Sequence, residues 1–123
     1  VGEEGPRFTT QAIGEEGPPR STSVWGEVMT PWASPSSLAD GILDDETYDW
    51  LAVVDALHAS DGDVVVAAEG RVRHAWDLAT DAGFHCSPTG SAGLAGLLEL
   101  VDGPDGDTWR RQDVGVIVSG VRR

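Results

Sequence analysis

The sequence predicts an α/β fold, a partial parallel-sheet layer carrying helices, over residues 41–123. Three observations predict it. Val64-Val65-Val66-Ala67-Ala68 and Val114-Gly115-Val116-Ile117-Val118 are continuous apolar runs rich in β-branched residues, the pattern of strands buried on both faces. Between and before them lie apolar residues at helical spacing. Turn residues separate the elements, giving the order helix, strand, helix, helix, strand, which suits a parallel layer.

Residues 1–40 form a separate, Pro- and Gly-rich segment holding five of the seven prolines. Gly2-Glu3-Glu4-Gly5-Pro6 returns at Gly14-Glu15-Glu16-Gly17-Pro18, which reads as a pair of turns, since two copies are too few for a solenoid. Phe8-Thr9-Thr10-Gln11 between them suits a short strand. Trp25, Met29 and Trp32 carry large apolar area, so this segment is expected to need a partner surface.

After Gly41 each element has a local reason. Asp44 or Asp45 is placed to cap a helix, with Glu46 in its first turn. Trp50, Val53, Val54 and Leu57 make one helical face. Ser60-Asp61-Gly62-Asp63 is a turn ahead of the first strand. Val72, Ala75, Trp76 and Ala79 make a second stripe, closing near Gly83. The extended piece Phe84-His85-Cys86 leads to Ser87-Pro88-Thr89-Gly90-Ser91, where a third helix starts with Leu94, Leu97, Leu98 and Val101 on one face. Residues 102–107, Asp102-Gly103-Pro104-Asp105-Gly106-Asp107, read as a loop before the last strand.

Charge narrows the function classes. Asp and Glu number 21 against eight cations, all arginine, for a formal net charge of −13. Nucleic acid and anionic membranes both need clustered cations, so neither is expected as a partner. Acidity without lysine fits a halophile's salty cytoplasm, where ions screen the self-repulsion; a GC-rich coding bias would produce a similar exchange of Lys for Arg. The apolar runs are too short to span a bilayer, and the acidic N-terminus lacks the apolar core of a signal peptide, so a soluble cytoplasmic protein is expected. Cys86 is the only cysteine, which excludes an internal disulfide.

Few residues stand out chemically. His58, His74 and His85 lack the spacing of a metal site, and none is expected. Cys86 beside His85 reads as a small core residue more readily than as a nucleophile. The acids Asp44, Asp45, Glu46 and Asp49 are accounted for by capping and solvation. Neither G-x-x-x-x-G-K-[ST] nor G-x-G-x-x-G occurs, so nucleotide binding has no support. The stretch from Ser87 to Leu97 is the most informative. Small hydroxylated residues at a helix start suit an anion, and equally an ordinary cap. Ala92, Gly93, Ala95 and Gly96 remove bulk so that the helix can lie close against the sheet, or equally against a cofactor. Ser119 follows the last predicted strand, at the carboxyl end where ligands collect in parallel sheets.

These stretches carry a resemblance. Pro35-Ser36-Ser37-Leu38-Ala39-Asp40-Gly41-Ile42 is similar to a "P-x-S-[IL]-A-x-G-I" run. Ser87-Pro88-Thr89-Gly90-Ser91-Ala92-Gly93-Leu94-Ala95-Gly96-Leu97 is similar to a "P-[TSE]-[GS]-x-A-x-L-A-G-L" helix start. Val114–Val118 followed by Ser119-Gly120 is similar to a terminal strand and its hydroxyl residue. In this order, from about Trp32 to Arg123, they resemble the C-terminal part of threonine synthase and related pyridoxal-phosphate enzymes of the tryptophan-synthase-β fold.

The resemblance implies a cofactor site. It gives Ser119 a hydrogen bond to the pyridine nitrogen of pyridoxal phosphate, with Gly120 beside it, and makes the helix beginning near Thr89 a wall of the same pocket. The family's Schiff-base lysine and Gly-rich phosphate loop lie upstream in its chain, and this sequence has neither. No catalytic residue is therefore assigned to it. The expectation is the C-terminal fragment of a lyase or synthase of amino-acid metabolism, working by β-elimination or β/γ-replacement and inactive alone. Its expected partner is the missing N-terminal half or a related full-length subunit, with a homodimer as a further option. A non-catalytic binding or regulatory module of the same fold, and a plain acidic α/β domain, are the alternatives.

Overall fold

Apolar stripes and glycine stops account for the helices seen in a computed structural model, which describes residues 34–43 and 49–120. The described residues fall into two units. One holds residues 34–35 and 49–63, the other residues 36–43 and 64–120.

The first unit contains helix α1, Trp50–Ser60. Trp50 and Val54 are buried, as the stripe predicts, while Val53 is exposed. The helix stops at Asp61, which takes a left-handed backbone with φ of 52°. Aspartate tolerates that region better than most residues. The Gly62 N–H then returns to the Leu57 carbonyl at 2.8 Å.

The second unit is built on α2, Glu69–Asp81, and α3, Ala92–Asp102. Val72, Ala75 and Ala79 form the buried face of α2. At its end Gly83, with φ of +89°, lets Phe84 N–H reach the Ala79 carbonyl at 2.9 Å, a glycine-dependent stop. Ala75 and Ala95 are both fully buried where α2 meets α3. Their small side chains permit a close helix approach. With Ala39 and Val72 they form the core, lined by Leu38, Ala67, Leu94 and Leu98. Trp76 anchors the piece after α2 by donating its indole N–H to the Cys86 carbonyl at 3.0 Å, and Cys86 is buried. A fourth, short helix, α4 at Gly106–Trp109, coils residues that the sequence assigns partly to a loop.

The parallel-sheet layer is not there. Among the described residues there is no sheet, and Cys86 alone sits in a β-bridge. Val64–Ala68 forms no strand, and Val66 is 88% exposed. Val114–Val118 forms none either, with Ile117 86% exposed. The described part of the chain is thus helical, not α/β. The physical reason lies in how strands are stabilised. A β-branched run favours extended backbone, but a sheet needs a ladder partner on at least one side. Here α3 lies along both runs. Gly96 faces Val65, and Gly93 faces Val116 and the Ile117 carbonyl. Val65 and Val116 lie against the helix, while Val66 and Ile117 are exposed.

The expected cap at Asp44 or Asp45 and all the features assigned before Ser34 lie outside the described residues.

Candidate functional site

Three distant stretches meet at the 3-10 turn Thr89–Ser91, which leads directly into α3. The turn is folded by its own hydroxyls. Ser87 Oγ accepts the Gly90 N–H at 3.1 Å, and Ser91 Oγ donates to the Pro88 carbonyl at 3.0 Å. Ser91 is fully buried, so that second bond satisfies a hydroxyl that water cannot reach.

From the N-terminal side comes segment 36–43. The Glu69 carboxylate, in the first turn of α2, accepts the Leu38 N–H at 2.5 Å and the Ser37 hydroxyl at 3.2 Å. Ala39 is plugged into the core. The segment then makes a 3-10 turn at Asp40–Ile42, and Gly41 N–H donates to Thr89 Oγ1 at 3.0 Å.

From the C-terminal side comes the run ending at Ser119 and Gly120. Ser119 N–H donates to the Gly90 carbonyl at 3.1 Å. A Cβ at Gly90 would collide with the Ser119 carbonyl, so the backbones touch directly. Gly120 has φ of +75°, and a Cβ there would sit 2.9 Å from Ser87 Oγ. Both glycines are required by this approach.

Thr89, Ser119 and Gly120, the residues singled out from sequence, therefore lie at one turn. Ser119 is exposed, and its hydroxyl makes no hydrogen bond among the described residues. The pyridoxal phosphate that the resemblance implies would need an amine for its aldehyde, and the chain has no lysine.

Sequence reasoning missed Glu69 altogether. Its partners stand 31 and 32 positions away, and no local pattern marks it. Gly41 and Gly90 were legible as members of their motifs, though not as contact points.

Arg71, Glu99, Asp102 and Arg110 form a structural network. Arg71 reaches Asp102 at 2.7 Å and Glu99 at 3.7 Å, and Arg110 reaches Asp102 at 3.3 Å. Glu99 also accepts the Ala68 N–H at 3.1 Å, satisfying the main-chain donor of the residue that precedes α2. Among the described residues no group of His, Cys, Asp and Glu is arranged to hold a metal ion. Among them, too, no helix is long and apolar enough to cross a membrane. Comparison with family models, curated proteins and solved structures finds no match to this chain.

Proposed function

We propose that this chain supplies the ring-nitrogen side of a pyridoxal-phosphate site, as the C-terminal portion of an amino-acid lyase or synthase resembling threonine synthase. One observation carries the reading. The three stretches on which the resemblance rests, centred on Gly41, Thr89 and Ser119, are far apart in sequence yet joined at a single helical turn by two hydrogen bonds. An accidental match of three short patterns gives no reason for them to meet.

The cofactor supplies an electron sink for bonds at the substrate's α-carbon. Ser119 would present a neutral hydroxyl to the ring nitrogen. A hydroxyl does not hold that nitrogen protonated as a carboxylate would, and the weaker sink suits elimination and replacement. With no lysine, the chain is not catalytic alone. The missing half, or a related full-length subunit, is the partner, and the exposed apolar residues Val66 and Ile117 support a need for one.

Complementation tests the reading. An upstream half of a threonine-synthase-like enzyme, with its lysine and phosphate loop, is mixed with or fused to this chain. Cofactor absorbance and amino-acid elimination should appear that neither part shows alone. Failure with an upstream half that does respond to its own C-terminal portion would sink the proposal.

A further inference from the structure

We propose that Thr89 is a positioning residue, whose hydroxyl holds the exposed turn Asp40–Ile42 at the same helical turn that carries Ser119. The consequence for catalysis rests on the reading above; the tether itself does not.

The geometry separates Thr89 from Ser119. Thr89 Oγ1 already accepts the Gly41 N–H at 3.0 Å, whereas the Ser119 hydroxyl has no partner among the described residues. The contact with Gly41 is steric as well as polar. A Cβ at Gly41 would lie 3.0 Å from Thr89 Oγ1 and 3.4 Å from its methyl group, so the Gly41 backbone rests on the threonine side chain. Segment 36–43 has two other anchors, the Glu69 carboxylate at Leu38 and the Ala39 side chain in the core. Both grip its first half. Thr89 is the anchor of its second half, where Asp40, Gly41 and Ile42 are exposed. The next residue, Gly90, binds Ser119 through its carbonyl. Two successive residues therefore fix the two segments, one by a side chain and one by the main chain.

This arrangement makes a specific division of labour. The Gly90 link needs no side chain and survives any substitution at Thr89 that leaves the turn intact. The Gly41 link depends on one hydroxyl oxygen. Removing that oxygen frees the turn at 40–42 and leaves Ser119 where it is.

Hydrogen exchange of the full chain in molar salt tests this without cofactor or upstream half. Thr89→Val should speed exchange of the Gly41 amide roughly 2- to 13-fold, the loss of one neutral hydrogen bond. The Ser119 amide and those of α2 and α3 should be unchanged, and Thr89→Ser should restore Gly41 protection. A uniform rise along α2 and α3 would make Thr89 a general stabiliser and overturn the proposal, as would a Thr89→Ser variant that behaves like Thr89→Val. In the enzyme completed as above, Thr89→Val should raise KM for the amino acid more than it lowers kcat, with cofactor absorbance kept and rescue by serine. A changed absorbance would put Thr89 against the ring and overturn the positioning role. Because the exchange measurement uses the chain alone, it succeeds or fails independently of the cofactor assignment.

Discussion

Ser119 and Gly90 are in backbone contact: the N–H of one donates to the carbonyl of the other at 3.1 Å, and the Gly90 Cα faces the Ser119 carbonyl with no room for a side chain. The end of the chain is therefore seated on the start of α3 by main-chain atoms, and its placement depends on what residue 90 lacks.

Gly90→Ala should be strongly destabilising. The added methyl meets backbone, which cannot swing aside as a flexible side chain can, so the cost should reach or exceed the roughly 1–3 kcal/mol typical of overpacking. Gly70, early in α2, has nothing within 4 Å of a built Cβ, and its φ is not positive. Gly70→Ala should gain up to about 0.5–1 kcal/mol from helix propensity. Denaturant melts of the two variants check both signs. A harmless alanine at position 90 would contradict the contact.

Mixing the isolated chain with pyridoxal phosphate, followed by gel filtration, should leave no stable visible absorbance. The covalent link to the cofactor aldehyde needs a lysine amine, and there is none. The Val1 α-amino group can react only adventitiously. Retained absorbance at one cofactor per chain would refute this.

In dilute buffer the chain alone should self-associate or fold poorly, and molar salt should improve it. Salt screens a charge of −13 and strengthens apolar burial. The exposed residues Val64, Val65, Val66, Val114, Ile117 and Val118 add a reason for association. Sedimentation and thermal melts across a salt series measure both effects. A monomer melting cooperatively at low salt would be the contrary result.

In a completed, active enzyme, Ser119→Ala should slow the reaction roughly 2- to 13-fold, the equivalent of one neutral hydrogen bond of about 0.5–1.5 kcal/mol. Ser119→Asp should shift the cofactor's absorbance, because a carboxylate favours a protonated ring nitrogen, and should harm activity more. Ser87 serves the turn rather than the cofactor, so Ser87→Ala should stay near neutral in rate. Unchanged spectrum and rate in both Ser119 variants would remove this residue from the site.

The helices were legible because their signals are local. The stripes Trp50–Leu57 and Val72–Ala79, and the stop near Gly83, need only neighbours three or four positions away. The same is true of the turn at Ser87–Ser91, whose hydroxyls fold back on their own backbone. The sheet was misread because the Val-rich runs state a backbone preference and an appetite for burial, but not which surface supplies it. Val64–Ala68 and Val114–Val118 have the composition of central strands, yet what they meet among the described residues is α3, and Val66 and Ile117 are left exposed. Ala75 and Ala95 were legible as members of an apolar stripe and of a small-residue face, but the sequence did not show that these two faces pack on each other. The site was half legible. Its motifs could be seen in the chain, but the pairing of Gly41 with Thr89, and the role of Glu69, depend on contacts across more than thirty residues.

The two bare runs set a clock on the unassembled chain. Val66, 88% exposed, and Ile117, 86% exposed, lie outside any helix or strand, so these stretches are open to a protease. Any partner that covers the runs withdraws the preferred cut sites and stabilises the chain by mass action at once. The half-life of the chain in the presence of a broad-specificity protease therefore reports whether any surface covers these residues.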